Sequence, residues 1–208
     1  LWWSHQDEQR EVNLVLIDKM KARHWDYFEP VAKVAGAIDG IQQPLWAVSF
    51  RNQIRPNVSI GLSHYRLEHL FQSSYSDLIW RFPLIPSGDE FRLSAQWMKQ
   101  SSIGQQQLID GSFDTWSAGL KGEWKQGPLT LGVARLYTDQ QAAYRVPFGS
   151  WIGYASRIIT NFNRAGEQVW ALDALLQWDR LGVPGLSMHA SVTWGDEAVV
   201  GSRHISLP

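Results

Sequence analysis

The sequence predicts an all-β protein, an antiparallel β-barrel that crosses a membrane with its strands. Three observations carry this: apolar residues recur at every second position over several limbs, tryptophan stands at both ends of the apolar stripes, and connections between limbs are alternately short and long. A period of two means strand, because successive side chains point to opposite faces. The plainest case runs from 167 to 194, EQVWALDALLQWDRLGVPGLSMHASVTW. Trp170, Leu172, Ala174, Leu176 and Trp178 share one parity there, opposite Val169, Ala171, Asp173, Leu175 and Gln177. Asp179 to Gly185 turns the chain, and Leu186, Met188, Ala190, Val192 and Trp194 return against Ser187, His189, Ser191 and Thr193. That is a β-hairpin signature. Trp170 and Trp178 are eight residues apart. At ~3.4 Å per residue that is roughly 27 Å of strand. Tilted by ~40° it spans roughly 21 Å, close to the ~25 Å apolar band between the two aromatic girdles of a transmembrane barrel.

Bulk properties agree. The 208 residues are read as one domain, a partial barrel over 1–208. Of twelve tryptophans, Trp46, Trp80, Trp97, Trp116, Trp124, Trp170, Trp178 and Trp194 fall on the apolar parity, so their excess is patterned. Trp46, Trp97, Trp116, Trp124, Trp170, Trp178 and Trp194 are the expected membrane girdle. The net charge of -1 gives no global attraction to nucleic acid. Cysteine is absent, which excludes a disulfide framework and thiolate chemistry. No run approaches the ~18 apolar residues of a transmembrane helix. Mean hydropathy is mildly negative, as alternating strands allow.

Taken in order, residues 1–11 have no clear assignment, and Asn13 to Met20 reads as a short strand. Lys21 to Gln43, with Pro30, Gly36 and Gly40, reads as a long loop. Strands follow at 45–51 (Trp46, Val48, Phe50 outward) and 58–63 (Val58, Ile60, Leu62), with a parity slip beyond His64 that predicts a β-bulge. Leu78, Trp80, Phe82 and Leu84 form the next strand, then Phe91, Leu93, Ala95 and Trp97 after the turn at 86–89. A loop at 101–112 precedes Trp116, Ala118, Leu120, Gly122 and Trp124; Gln126-Gly127-Pro128 turns the chain into Leu129, Leu131 and Val133. Residues 139 to 166 show no periodicity and are too long for a passive connector. The opening hairpin and a last loop from Gly195 complete the chain. Short turns near 52–57, 86–89, 126–128 and 180–185 alternate with long loops near 21–43, 101–112, 139–166 and from 195. Outer-membrane barrels divide their connections this way, with long loops outside.

Several segments resemble one family. Phe113-Asp114-Thr115-Trp116, AGLKGEWKQGPLTLGVA (118–134), PFGSWIGY (147–154), FNRAGE (162–167) and LGVPGL (181–186), with KMKAR and FEP between 19 and 30, are similar to the OprD family of substrate-specific outer-membrane porins. FNRAGE with LGVPGL is the more specific pair. The resemblance implies a bacterial outer-membrane protein with a barrel of about eighteen strands, wide enough for an aqueous channel. About ten strands are countable here. The expectation is therefore an internal and later portion of such a barrel, without signal peptide, early strands or closing strand. Ten strands closing a narrow barrel alone is the other reading.

The resemblance also implies passive, substrate-selective diffusion of amino acids or small or aromatic carboxylates, with no cofactor, no metal and no catalysis. Such a channel needs a constriction and charges that admit one solute class. Family members line the wall with basic side chains, and Arg51, Arg81, Arg92 and Lys121 hold the polar parity of four strands. Each either guides substrate or pairs with an acid such as Asp77 or Glu123. The segment 139–166 is the expected constriction, with Tyr144, Arg145, Ser150, Tyr154, Arg157 and Asn161 as its polar residues. Asp173, on the lumen parity, is grouped with them as a contact for a substrate amine or as a partner to a wall arginine. The surrounding partners would be the lipid bilayer and lipopolysaccharide, with a loose homotrimer. The six histidines show no metal-ligand spacing. No nucleophile elbow or phosphate loop appears. Two competing functions are a soluble ligand-binding barrel, its apolar face inward, and an outer-membrane barrel enzyme using Ser187 and His189 on one strand face.

Overall fold

The computed structural model describes residues 1–21, 26–84, 89–104, 107–148, 153–156, 161–200 and 203–205. It begins with the strands β1 (Trp2–Gln6), β2 (Arg10–Ile17), β3 (Lys19–Met20) and β4 (Glu29–Pro30) and the one-turn helix α1 (Val31–Val34). Six long strands follow: β5 (Leu45–Arg55), β6 (Val58–Leu67), β7 (Phe71–Leu84), β8 (Asp89–Ser102), β9 (Asp114–Gln126) and β10 (Leu129–Thr138). After a long loop come β11 (Gln168–Gln177), a 3-10 turn (Trp178–Leu181), β12 (Ser187–Asp196), β13 (Ala198–Val200) and β14 (Arg203–Ile205).

One antiparallel sheet holds ten of these strands in the order β1-β2-β5-β6-β7-β8-β9-β10-β11-β12. Each long strand pairs with its sequence neighbour, so the topology is a meander. Among the described residues β1 and β12 do not pair with each other, and the ten strands do not close into a narrow barrel of their own. The unassigned start is a hairpin. Its turn is held by Asp7, whose Oδ1 accepts from the backbone N–H of Gln9 and Arg10 at 2.8 and 2.7 Å, the local bonding that suits aspartate to turns.

Alternation separates the faces as the sequence predicts. Trp46, Val48, Leu62, Leu78, Trp80, Leu93, Trp97, Leu120, Val133, Trp170, Leu172 and Val192 are exposed on one face. The other carries Arg51, Asp77, Ser94, Gln96, Lys121, Glu123 and Asp173 by register. Most strands run several residues beyond the alternating stretch, because their upper ends follow a different polarity rule.

The bulge expected beyond His64 is not there. The β6–β7 register continues unbroken from Val58↔Trp80 to Leu67↔Phe71, and the irregularity lies in β5 between Gln53 and Arg55. Polarity inverts instead. Above Ser63 the formerly polar face presents Tyr65, Leu67 and Phe71, while His64, Arg66, Gln72 and Ser74 take the other face. The cause is packing. Leu67, Leu70 and Phe71 are fully buried with Val31 and Ala32 of α1 and pack with Leu45 and Leu108, so Val31 to Ala37 and Leu108 to Phe113 fold onto this face. The described part of the segment expected as a long loop thus holds β4 and α1. The link between β6 and β7 is only the three residues 68–70 on the side otherwise given to long loops. A second buried cluster joins Met98, Ala134, Leu136, Val169 and Ala171 to Tyr144 and Ala155 from the loop between β10 and β11.

Phe71 joins loop to wall, with Tyr65 at 5.9 Å, Phe113 at 6.0 Å and Phe148 at 6.4 Å between ring centroids. Phe71→Ala is expected to destabilise the protein by about 3 kcal/mol, in the range for large-to-small changes in a packed core. Leu78→Ala, on the exposed face, is expected to cost well under half as much. Urea unfolding in detergent, followed by tryptophan fluorescence, measures both.

Candidate functional site

The polar face is organised in register rows that cross several strands. One runs Glu11, Arg51, Gly61, Asp77, Gln96, Gly119. Arg51 reaches over Gly61, and its Nη2 lies 3.4 Å from Asp77 Oδ1. Only glycine permits this reach, since a Cβ at Gly61 would stand 2.2 Å from Asp77 Oδ1. Asp77 shares its face of β7 with Tyr75 two residues away. It is 5% exposed at its side chain against 52% for Arg51, so the carboxylate is covered and the guanidinium faces the open side.

A lower row runs Arg81, Arg92, Glu123, Gly132, Asp173, Ser191. Glu123 serves two cations: Arg92 Nη1 is 3.3 Å from Oε2, and Lys121 Nζ is 3.1 Å from Oε1. Arg92 Nε also lies 3.9 Å from Glu90. Arg81 stands directly opposite Arg92 in the ladder and makes no ion pair among the described residues. Like charges opposite each other across strands are unfavourable, so this pair raises the local positive potential. Of the four cations expected along the wall, three lie against carboxylates and Arg81 does not.

The loop between β10 and β11 is tied to the polar face by side chains of the wall. Gln100, fully buried on β8, treats the loop backbone as a strand neighbour. Its Oε1 accepts from Arg145 N at 2.9 Å and its Nε2 donates to Arg145 O at 3.1 Å. Thr115 Oγ1 donates to Ala142 O at 2.6 Å, and Ser73 Oγ shares a 2.5 Å hydrogen bond with the Tyr144 hydroxyl. The loop's return limb is joined by Tyr144 N donating to Asn163 O at 2.9 Å. Buried polar groups satisfied in this way fix geometry, because breaking one partner leaves the other desolvated and unpaired.

Arg145 links this loop to 103–113: its Nη2 is 3.3 Å from Asp110 Oδ2 and its guanidinium sits 4.6 Å over the Phe113 ring. Burial pushes the Tyr154 hydroxyl up to about 12. Burial likewise raises Tyr144. Both remain neutral donors at physiological pH. Asn161 is half-buried in the same loop, while Ser150 and Arg157 lie outside the described residues. Asp173 belongs to the wall of β11 and not to the loop; His189 Nε2 comes within 3.5 Å of its Oδ1. No hydrogen bond joins Ser187 to His189 among the described residues, so the pair needed for nucleophile activation is absent from the described contacts.

On the apolar face Trp46, Trp97, Trp170 and Trp194 are exposed, and Trp170 pairs directly with Trp194. Trp116 packs at 5.3 Å on Tyr137. Lower down, Trp80 lies 4.3 Å from Phe82 and Phe82 6.0 Å from Phe91, beside Trp124 in register with Phe91. Trp178 opens the 3-10 turn with its indole N–H buried and without a partner. Sequence reasoning missed Ser73, Gln100 and Thr115. A run of polar residues on the lumen parity beyond the alternating stretch was their signal.

Comparisons place this geometry among known proteins. The family model described as outer membrane porin, OprD family, matches residues 14–204. Solved structures of Pseudomonas aeruginosa share the fold. OccK9 (OpdG) is 15% identical, with a TM-score of 0.83, over 98% of this chain and 52% of that one. OccK2 (OpdF), in complex with glucuronate, is 14% identical, with a TM-score of 0.82, over 96% and 54%. OpdK with vanillate is 14% identical, with a TM-score of 0.81, over 96% and 53%. The chain therefore spans about half the length of these structures. No curated protein matches it.

Gln100→Met keeps the side-chain length and removes both bonds to Arg145. Loss of a buried hydrogen-bonding partner costs about 1–3 kcal/mol. Hydrogen exchange at the Arg145 amide should quicken at least tenfold, while exchange in the centre of β9 stays unchanged; mass-spectrometric exchange in detergent reads both.

Proposed function

Because the chain belongs to the OprD family of outer membrane porins, we propose that its sheet is one part of a barrel wall giving passive, selective diffusion to small carboxylates or amino acids. The protein acts in the bacterial outer membrane. In this reading the apolar face meets lipid, the polar face lines water, and the loop from 139 to 167 narrows the passage. The observation that carries it is the attachment of that loop to the polar face through Gln100, Thr115 and Ser73. A loop stitched inward on a strand wall reduces the open section without closing it.

The wall suits a weakly held anion or zwitterion. Arg51, Arg92 and Lys121 are compensated by Asp77 and Glu123, so they orient a solute without trapping it. Arg81, facing Arg92 in the ladder, is the residue proposed to receive a carboxylate. Transport needs binding favourable enough to enter and weak enough to leave. The carboxylates glucuronate and vanillate in two related structures support that solute class. No reaction step is assigned to the channel.

Arg81→Glu is expected to slow liposome swelling by benzoate and glucuronate roughly two- to tenfold, the low end of electrostatic steering. Glu123→Gln should act with the opposite sign, freeing Arg92 and Lys121 and shifting the zero-current potential toward anion selectivity. Equal potentials and swelling rates in wild type and both variants would remove the proposed role of this wall.

A further inference from the structure

An arginine stands on the apolar face. Arg135 shares that face with Leu131 and Val133 on β10, and its row runs Leu120, Arg135, Trp170, Trp194. Its guanidinium lies 5.1 Å over the Trp170 ring and Nη2 donates to Gln168 Oε1 at 2.7 Å. It makes no ion pair among the described residues. Gln168 Nε2 donates in turn to Glu197, which aims the amide carbonyl at the arginine. Lys99, on the same face, is occupied by Asp114.

Beside Arg135 the face is hollow. Ala95, Ala118, Leu120, Tyr137 and Gln168 line with it a cavity of about 440 Å³. One register step lower, Gly122, Val133, Leu172, Ala174 and Ala190 line another of about 590 Å³. Leu120, 61% exposed, stands between the two, and the lower one is walled also by Phe91 and Trp124, so the hollow made by small residues is the upper one, floored by Ala95 and Ala118 beside Arg135. Trp97, Trp116, Tyr137, Trp170 and Trp194 surround the upper end, which lies toward the long loops and hence the outer leaflet.

We propose that this groove binds a phosphorylated lipid of the outer leaflet, its phosphate on Arg135 and one acyl chain over Ala95 and Ala118 against Leu120. Charge complementarity selects the occupant. Guanidinium donors pair bidentately with phosphate, and an exposed cation in an aromatic belt is placed for a headgroup. A second copy of the chain would present only apolar surface or the same arginine. The proposal rests on the membrane orientation given above, and its test separates the two.

The protein purified in detergent is titrated with bisphosphorylated lipid A, with dephosphorylated lipid A, with phosphatidylglycerol and with inorganic phosphate, and thermal unfolding is followed by tryptophan fluorescence. Lipid A should raise the unfolding midpoint of the wild type saturably. Arg135→Gln should weaken that response about tenfold, as loss of phosphate should. Ala118→Phe, which fills the groove but keeps Arg135, should abolish it. Swelling rates of both variants should match the wild type; a wild type that binds lipid A but gives no swelling would defeat the channel reading alone. The lipid site is overturned if Arg135→Gln binds lipid A as the wild type does. It is equally overturned if dephosphorylated lipid A, phosphatidylglycerol or inorganic phosphate gives the same stabilisation, or if the midpoint depends only on protein concentration.

Discussion

The constraint on which the structure depends is the hydrogen-bonded ladder. A strand that crosses lipid must satisfy every backbone N–H and C=O within the sheet, because the bilayer core offers no partner. Once the ladder is complete, side-chain parity is the chain's remaining freedom. Each residue is assigned to one face or the other with no intermediate. Leu120 and Lys121 show the consequence at adjacent positions: one is exposed on the apolar face, the other engages Glu123 on the polar face. The meander from β1 to β12 repeats this division across ten strands.

Parity alone does not say which face is apolar at a given height. Below Ser63 the face bearing Leu62 is apolar; above it, Tyr65, Leu67 and Phe71 make the opposite face apolar, because loops with α1 and Leu108 cover it. The upper wall is then a protein core and not a water-lined surface. Buried there among apolar groups, Gln100, Thr115 and Ser73 would be costly without partners. The loop backbone supplies them. The same bonds that satisfy the wall fix the loop, so the seating of the loop and the stability of the upper wall are one set of interactions.

Charge on the polar face follows a similar economy. Glycine at 61 lets Arg51 lie across β6 to Asp77, and Glu123 divides between Arg92 and Lys121. Ion pairs that remain partly exposed bind weakly and exchange with solvent ions readily. Among the described residues Arg81, opposite Arg92 in the ladder, is the wall cation without a carboxylate beside it.

The period of two and the tryptophan intervals by themselves determined the fold class, the strand order of the meander and the faces at mid-height, since those depend only on local alternation. They also exposed the loop at 139–166, because absence of period over that length is itself a signal. The strand ends, the helix α1 and the first strand β1 with its turn were not legible, since alternation reverses or fades where the environment changes from membrane height to packed loops. Most of the candidate wall was visible as polar parity at Arg51, Arg81, Arg92 and Lys121. Which of them are neutralised was not. Ion pairing and loop attachment join residues far apart in the chain, such as Arg51 with Asp77 and Gln100 with Arg145, and only the register of neighbouring strands brings those side chains within reach.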